Sequence, residues 1–258
     1  MLEHARASCP RGHAFDRARS GYWNLLQPQD RAAKHPGDAR EVVHARRRTV
    51  ERGILAPLRD AVLERLRALA VTGPFLDVGA GEGFVAAAVA RDLGLPTVGV
   101  DLSAFASELS AKSYPELTWV VANGDRKLPF CDHGAACVSS ITGPKHAPEL
   151  RRVLAENGHA LLVVNGDEDQ RELRSAVLGS APPTGRAARA IELCAGSLEL
   201  VSQHSAKWRV RLEGEALVDL AATTYRGARH SQRERLEALE SLDVTFDYVL
   251  LVLRPLAP

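Results

Sequence analysis

The 258-residue sequence lacks any apolar run that approaches the roughly 20 residues of a membrane-spanning helix. Its first residues, Met-Leu-Glu-His-Ala-Arg, contain no apolar core of a secretion signal. We therefore expect no membrane association and a cytoplasmic location. Internal repeats and low-complexity segments are also missing, which excludes a repeat architecture.

Cysteine is scarce as well, with four residues scattered at positions 9, 131, 137 and 194. A small fold stapled by disulfides would place its cysteines at a higher density. We therefore expect reduced thiols. Cys131 and Cys137 have no second cysteine pair near them in sequence, so they do not predict a metal site.

A large excess of one charge sign is absent too, since the net charge is +1. The distribution is uneven, however. Residues 1–67 contain 14 Lys or Arg against 8 Asp or Glu, whereas the remaining residues contain 19 against 24. A basic end on a mildly acidic body favours a polyanionic partner. The alternative is that Arg46-Arg47-Arg48 and its neighbours form an ordinary solvated helix face.

Proline and glycine punctuation divides the chain into two predicted units. Residues 1–36 read as a small irregular module, and residues 37–258 read as one larger domain. Asp38, with Glu41 three residues later, is the predicted N-cap of a first helix. Apolar side chains recur every three to four residues over positions 55–70, which predicts a second, amphipathic helix.

From residue 75 onward, short apolar strands alternate with helices. The predicted strands are Phe75–Val78, Thr97–Val100, Thr118–Ala122, Ala135–Ile141, His159–Val164, Leu198–Gln203 and Val244–Leu253. The predicted intervening helices are 84–93, one beginning at Ser103, 147–154 and 168–177, and residues 179–190 are predicted to be a mobile loop. This alternation predicts an α/β fold, Rossmann-like, with a mostly parallel seven-stranded sheet whose last strand is antiparallel.

A glycine loop follows the first of these strands, in the segment Phe75-Leu-Asp-Val-Gly-Ala-Gly-Glu-Gly83. Glycines there let the backbone approach a ligand closely. A dinucleotide loop would have glycine at position 84, which is Phe, so the pattern favours S-adenosylmethionine (SAM) instead. The predicted cofactor contacts in the loop are Asp77, Gly79, Gly81, Glu82 and Gly83.

Two further polar segments follow the next strands. Asp101 ends the second strand and is suited to accept hydrogen bonds from both ribose hydroxyls, with Leu102 beside it. Asn123, Gly124 and Asp125 end the third strand and are placed to meet an adenine. Because the carboxyl ends of parallel strands form one edge of the sheet, these segments and the glycine loop predict one nucleoside site.

The substrate side of the site is predicted from separate residues. Tyr22 and Trp23 are candidates for stacking on an extruded base, with packing of the N-terminal module as the alternative. Arg46 and Arg47 are candidate phosphate contacts, and His146 is a candidate substrate contact or solvent-facing loop residue. The sulfonium of SAM already activates its methyl group. We therefore expect no nucleophile motif and assign no catalytic residue.

Several segments together carry a resemblance to a known family. They are Cys9-Pro-Arg-Gly-His13-Ala-Phe15-Asp16, Ser20-Gly-Tyr-Trp-Asn-Leu-Leu26, Pro36-Gly-Asp38, Ala45-Arg46-Arg47, Ala56-Pro57-Leu58, Leu128-Pro-Phe, Glu149–Leu154 and Val244-Thr-Phe-Asp. With the glycine loop, this series resembles the 23S ribosomal RNA guanine-N1 methyltransferases, which include housekeeping and macrolide-resistance enzymes. The resemblance covers nearly the whole chain.

The resemblance implies a SAM-dependent methyltransferase with an N-terminal zinc-binding RNA-recognition module. The implied partner is 23S rRNA, the implied acceptor is a guanine N1 in a hairpin, and the implied assembly is a homodimer. The basic N-terminal quarter fits this picture independently, because phosphate contacts supply most of the affinity for RNA.

The sequence departs from the family at three places. The family's upstream Cys-x-x-Cys pair has no counterpart beside Cys9 and His13, so we expect no zinc, since a structural zinc takes four ligands. Leu55 replaces a family tyrosine, and the segment 164–169 replaces a family Thr-Pro…His stretch; both family elements help hold SAM. The acidic residues 167–169 would repel a phosphate backbone. The alternatives are therefore a small-molecule acceptor or a non-catalytic relative.

Overall fold

In the computed structural model, the described residues are 2–3, 6–8, 12, 14–27, 37–224, 234–236 and 238–256. Within this part of the chain, one large sheet has eight strands in the order β10-β11-β9-β8-β5-β6-β7-β4. These strands are β4 (Trp23–Asn24), β5 (Phe75–Val78), β6 (Thr97–Asp101), β7 (Thr118–Val121), β8 (Ala135–Ile141), β9 (Leu154–Asn165), β10 (Leu198–Glu213) and β11 (Ser241–Pro255). Seven of them are the predicted strands, and β4 adds an eighth at one edge.

Strand directions follow the prediction. Strands β4 to β9 run parallel to one another, and β11 is antiparallel to both β9 and β10. All four residues of β5 are buried, as expected for a central parallel strand covered on both faces. The α/β class and the antiparallel last strand are therefore confirmed.

Eight helices have bounds in the described residues. They are α1 (Arg40–Glu51), α2 (Ala56–Ala68), α3 (Phe84–Leu93), α4 (Ala104–Ser113), α5 (Ala147–Val153), α6 (Arg171–Leu178), α7 (Arg186–Cys194) and α8 (Gly214–Thr224). Helices α2, α6 and α8 share one apolar cluster with the sheet, whereas α5 and α7 share a second cluster. Layers on both faces bury the sheet, as the strand–helix alternation predicts. None of the described helices combines the length and apolarity needed to cross a bilayer.

Three local predictions were wrong or incomplete. Asp38 is not an N-cap: Ala39 holds that position, and the Asp38 carboxylate accepts a hydrogen bond from Arg46 at 3.0 Å instead. The loop predicted over 179–190 ends at Gly185, because α7 begins at Arg186. The strand predicted to end at Gln203 continues to Glu213, paired with β11 along its length.

The N-terminal residues contribute to both sheets. Strands β1 (Leu2–Glu3), β2 (Arg6–Ser8) and β3 (Ala14–Asp16) form a small antiparallel sheet. After this small sheet, Trp23 and Asn24 form β4, which pairs in parallel with β7 of the main sheet. The division at residue 36 stays a prediction, with β4 as the element by which the N-terminal segment joins the main sheet.

Ion pairs join helices α1 and α8 near the carboxyl ends of the strands. The Arg48 guanidinium donates to both carboxylate oxygens of Asp219, at 3.0 Å from Nε to Oδ2, and Arg52 donates to the same carboxylate. Burial opposes ionisation of Asp219, yet the hydrogen bonds from these two arginines hold its pKa below the usual value. This ion-paired contact positions α1 beside the strand ends.

Candidate active site

The glycine loop is a tight turn between β5 and α3. Gly79, Gly81 and Gly83 have φ values of 81°, 57° and 82°, in the left-handed region that disfavours other residues. A Cβ at Gly83 would lie 2.3 Å from the Trp119 ring. Gly83 therefore lets α3 pack closely against β7, while Gly79 and Gly81 shape the turn.

Asp101 fixes the loop to the neighbouring strand. Its Oδ2 accepts a hydrogen bond from the Gly81 N–H at 2.8 Å, and its Oδ1 accepts one from the Ser103 N–H at 2.7 Å. Each carboxylate oxygen keeps a further lone pair for a ligand hydroxyl. Burial raises the pKa of Asp101 above its ordinary value.

A cavity of about 340 Å³ opens beside the loop, at the carboxyl ends of β5, β8 and β9. Its walls also include residues of α1, α8 and β11. The charged groups lining it are three carboxylates, Asp77, Glu82 and Asp169, and three guanidinium groups, Arg46, Arg174 and Arg186. The cavity is therefore formally balanced and presents both signs of charge to a ligand.

Two of the carboxylates belong to the glycine loop. The Asp77 side chain is 2% exposed and accepts a hydrogen bond from the Ser139 hydroxyl at 2.6 Å, while burial raises its pKa to about 6. Glu82 is 4% exposed, and burial raises its pKa to about 7. Glu82 Oε2 is buried without a hydrogen-bond partner, and Arg46 lies 3.9 Å from it.

An orphaned buried carboxylate oxygen is costly unless a ligand satisfies it. SAM fits the arrangement on this ground. Its α-ammonium group would offer donors to Glu82 and Asp77, and its sulfonium carries a second positive charge. Its carboxylate can pair with a guanidinium group of the same cavity. The residues present thus suit a zwitterionic ligand that carries an additional positive charge.

The other predicted cofactor residues lie next to this cavity rather than in its wall. Leu102 is partly exposed beside Asp101 at the end of β6. Asn123 Oδ1 accepts a hydrogen bond from the Asp125 N–H at 3.0 Å, which shapes the turn after β7. Gly124 packs tightly, since a Cβ there would lie 2.7 Å from Val78. The structure brings these segments to the same edge of the sheet as the glycine loop.

The predicted substrate contacts lie in different places, and one of them needs correction. Trp23 is only 9% exposed and packs in the hydrophobic core, so it presents no face to a base and serves the packing alternative. Arg46 pairs with Asp38 and lines the cavity, so it stays a candidate contact to a ligand bound there. Arg47 donates to Glu51 and to the Ser113 hydroxyl.

The remaining two substrate candidates keep some accessibility. Tyr22 is partly buried and packs against the cluster of α3, α4 and Trp119. His146 is exposed at the start of α5, where its carbonyl accepts hydrogen bonds from Glu149 and Leu150. His146 does not line the cavity formed by the described residues.

The acidic run after β9 is only partly buried: Asp167 is exposed, Glu168 is partly exposed and Asp169 is buried. Asp167 accepts hydrogen bonds from the Thr184 and Gly185 N–H groups at 2.7 Å and 2.9 Å, and Glu168 pairs with Arg171. Within this run, Glu168 is ion-paired and Asp169 is buried, whereas the exposed Asp167 accepts its hydrogen bonds from neutral groups and keeps its negative charge at the surface.

Sequence reasoning missed several cavity residues. Thr142 and Gln170 follow β8 and β9 with φ values of 52° and 50°, which is strained for non-glycine residues, and both line the cavity. Asn165 and Arg186 also line it, joined by a hydrogen bond of 2.9 Å from Nη1 to Oδ1. Thr142 and Asn165 could have been predicted as site residues, because each directly follows a predicted parallel strand.

No group of three or more potential metal ligands occurs in the described part of the chain. Cys9 and His13, the two candidate zinc ligands of the sequence, lie outside the described residues.

Comparisons with known proteins identify the domain and the family. A family model described as a methyltransferase domain matches residues 75–163. The chain is 29% identical over 256 residues to the 23S rRNA (guanine(748)-N(1))-methyltransferase of Streptomyces fradiae, with 96% of this chain and 90% of the relative covered. It is 30% identical over 250 residues to a Micromonospora griseorubida protein that is provisionally named a 23S rRNA (guanine-N(1)-)-methyltransferase, with 89% and 82% covered.

A solved structure supports the fold. The crystal structure of a provisionally assigned methyltransferase from Bacillus halodurans C-125 matches with a TM-score of 0.54 at 17% identity, covering 75% of this chain and 97% of that one. The chain belongs to the 23S rRNA (guanine-N1)-methyltransferase family, and it is a SAM-dependent methyltransferase.

Proposed function

We propose that this protein transfers a methyl group to N1 of a guanine in 23S rRNA. The observation that carries the proposal is the match to the Streptomyces fradiae enzyme over 90% of that relative's length. A match of this extent includes the N-terminal segment as well as the methyltransferase domain. The basic residues 1–67 support the same substrate, because cationic side chains neutralise phosphates.

We infer that the cofactor lies across the strand ends from β7 to β5. Asp101 would accept the ribose hydroxyls with lone pairs left over from Gly81 and Ser103. Leu102 and the turn Asn123-Gly124-Asp125 would meet the adenine. Glu82 and Asp77 would face the ammonium group, which gives the orphaned Glu82 oxygen a donor.

When bound, SAM supplies a methyl group already activated by its sulfonium. The chain's own residues must hold the guanine in line with that methyl group and exclude water from the site. They must also accept the proton that leaves N1. The cavity beside Glu82 is the place for the guanine, since it is continuous with the glycine loop and lined by polar groups of β9 and β11.

The N-terminal residues 1–36 are proposed as the RNA-recognition module, with Arg47, Tyr22 and the exposed His146 as RNA contacts outside the cavity. We also infer a homodimer and a cytoplasmic location, both from the family resemblance and from the proposed substrate. A mass measurement by light scattering would test the dimer.

The small-molecule alternative keeps a specific observation in its favour. Asp167 is exposed and accepts hydrogen bonds only from neutral groups, so it presents a negative charge that would oppose a phosphate backbone, although Glu168 pairs with Arg171. If the protein methylates no RNA, the methyl acceptor is expected to be a small molecule such as a natural-product intermediate.

Labelled methyl transfer to transcripts of 23S rRNA tests the proposal. We expect incorporation into one hairpin fragment and its loss when the target guanosine is replaced by adenosine. Primer extension should stop beside the target, because an N1 methyl group blocks the Watson–Crick edge. Calorimetry with S-adenosylhomocysteine provides the control. Cofactor binding without incorporation into any rRNA fragment would overturn the RNA substrate and favour the small-molecule acceptor.

A further inference from the structure

The turn after β9 is built to hold one carboxylate in the cavity. The Gly166 N–H donates to the Asp247 carbonyl at 2.7 Å, and the Gln170 N–H donates to the Thr245 carbonyl at 2.7 Å. A Cβ at Gly166 would lie 2.2 Å from the Asp247 carboxylate, so only glycine fits. Both ends of the turn are thus tied to β11, and Gln170 takes a left-handed φ of 50° to complete it. Asp169 is the residue that this geometry presents.

Neutral donors orient the Asp169 side chain. Its Oδ2 accepts from the Asn165 amide at 2.8 Å, and its Oδ1 accepts from the Asp247 N–H at 3.2 Å. Asn165 is held in turn by Arg186. Asp169 is 7% exposed, lines the cavity and belongs to none of the ion pairs found in the described residues. Each of its oxygens keeps a lone pair for a ligand donor.

The position of Asp169 separates it from the predicted cofactor carboxylates. β8 lies between β5 and β9, and neighbouring strands are spaced about 4.8 Å apart, so the ends of β5 and β9 are about 10 Å apart. The Glu82 oxygen without a hydrogen-bond partner indicates that the cationic group of the cofactor binds on the β5 side of the cavity. The β9 side is then available to the methyl acceptor.

We propose that Asp169 reads the Watson–Crick edge of the target guanine, accepting hydrogen bonds from N1–H and the N2 amine, and that it takes the N1 proton. This inference rests on the proposed function. Guanine presents two adjacent donors on that edge, and a carboxylate with two free lone pairs is their complement. Asn165 is then a positioning residue that orients the carboxylate.

The step balances without any further reactant. The N1 proton passes to a carboxylate oxygen of Asp169 as the N1 electron pair forms a bond to the methyl carbon. The carbon–sulfur bond breaks, its electron pair stays on sulfur, and 1-methylguanine and S-adenosylhomocysteine result. The proton leaves Asp169 to solvent after product release.

The surroundings of Asp169 suit a proton acceptor near neutral pH. Burial raises its pKa to about 6, against the lowering effect of hydrogen bonds from Asp247 N–H and Asn165. The charged or titratable groups facing it are Asp247 and Tyr248 on β11, Arg174 on α6 and Arg186 on α7. A general base works best with a pKa near the operating pH.

Asp169→Asn and Asp167→Asn form a matched pair of variants. Both remove one carboxylate from the same turn, but Asp167 does not line the cavity; it accepts hydrogen bonds from the Thr184 and Gly185 N–H groups instead. Affinity is measured for S-adenosylhomocysteine and for two RNA hairpins, one with the target guanosine and one with inosine, which lacks the N2 amine. Methyl transfer is followed from pH 5 to 9.

We expect the wild type and Asp167→Asn to bind guanosine RNA about tenfold more tightly than inosine RNA, the effect of one hydrogen bond to a charged group. Asp169→Asn should lose that preference, bind S-adenosylhomocysteine normally and turn over about 100-fold more slowly. The wild-type rate should fall as pH drops below about 6.

An unchanged guanosine preference in Asp169→Asn would overturn the inference, as would a tenfold loss of S-adenosylhomocysteine affinity, which would place Asp169 in the cofactor site. If Asp169→Asn fails to fold, the wild-type comparison still decides, since equal affinity for both hairpins contradicts the contact to N2. A wild type that methylates no rRNA guanine defeats the proposed function itself, whereas an active wild type with an equally active Asp169→Asn defeats only this inference.

Discussion

Replacing Glu82 by Gln should raise the free energy of unfolding of the ligand-free protein and lower its affinity for SAM. Glu82 is 4% exposed, has an unpartnered Oε2, and has a pKa raised to about 7 by burial, with Arg46 only partly offsetting that burial. Its folded pKa therefore exceeds its ordinary value of 4.5. The folded state binds more protons than the unfolded state between these two values, so this group's contribution to stability falls as pH rises through that window.

The magnitude follows from the size of the pKa shift. A shift of about 2.5 units corresponds to roughly 3 kcal/mol of destabilisation at pH 8, as an upper limit for a single buried group. Gln has the same shape and no charge, so Glu82→Gln should recover about 1–3 kcal/mol at pH 8 and almost nothing at pH 4. The same substitution removes the acceptor charge for the cofactor's ammonium group, which costs about 1.5–3 kcal/mol of binding, or roughly 10- to 150-fold in Kd.

Urea unfolding at pH 4 and pH 8 and calorimetry with SAM measure the two effects. Glu156→Gln, which changes an exposed glutamate, is the control and should alter neither. A variant that is no more stable at pH 8, or one that binds SAM as tightly as the wild type, would refute the assignment of Glu82 as a buried carboxylate awaiting a cationic ligand.

Three further substitutions have defined outcomes. Asp101→Ala should weaken SAM binding by about 1–3 kcal/mol in calorimetry, and unchanged affinity would mean that the ribose contact is misassigned. Gly83→Ala should lower the free energy of unfolding by about 1–3 kcal/mol, because its Cβ would lie 2.3 Å from the Trp119 ring; an unchanged urea midpoint would contradict this packing. Asp219→Ala should cost about 1–3 kcal/mol by releasing Arg48 and separating α1 from α8, and the loss should shrink as pH falls, since the pKa of Asp219 is lowered; a pH-independent loss would argue against the ion pair.

The central strands and the glycine loop were predictable from the sequence for a clear reason. Phe75–Val78 and Ala135–Ile141 are buried parallel strands, so apart from Asp77, Ser139 and Ser140 their side chains are apolar, and glycine or polar residues follow them. The left-handed turns at Gly79 and Gly81 require glycine, which makes the loop visible as a pattern.

The misjudged features depend on tertiary partners. Residues 204–213 of β10 alternate exposed polar with half-buried side chains, and pairing with β11, rather than apolar content, makes them a strand. Asp38 is a residue type that favours the N-cap position. Its carboxylate binds Arg46 instead, because a charged guanidinium is a stronger hydrogen-bond donor than a backbone N–H group. Trp23 looked available because nothing in the local sequence shows that its side chain will be buried in an apolar cluster of the main sheet.

The carboxyl end of β9 shows the same limit at the site. Asn165 and Asp169 were visible only as a departure from a family pattern. Their placement in the cavity depends on Gly166 and Gln170 being tied to β11, which is more than 70 residues away in sequence. No local pattern carries information about that contact.

Formation of 1-methylguanosine in 23S rRNA by this protein can be measured directly. Unmodified 23S rRNA is incubated with the protein and isotopically labelled SAM, digested to nucleosides and analysed by mass spectrometry. We expect one labelled 1-methylguanosine per rRNA molecule and no other labelled nucleoside. Label in a different nucleoside, or none in RNA from a protein that binds SAM, would contradict it.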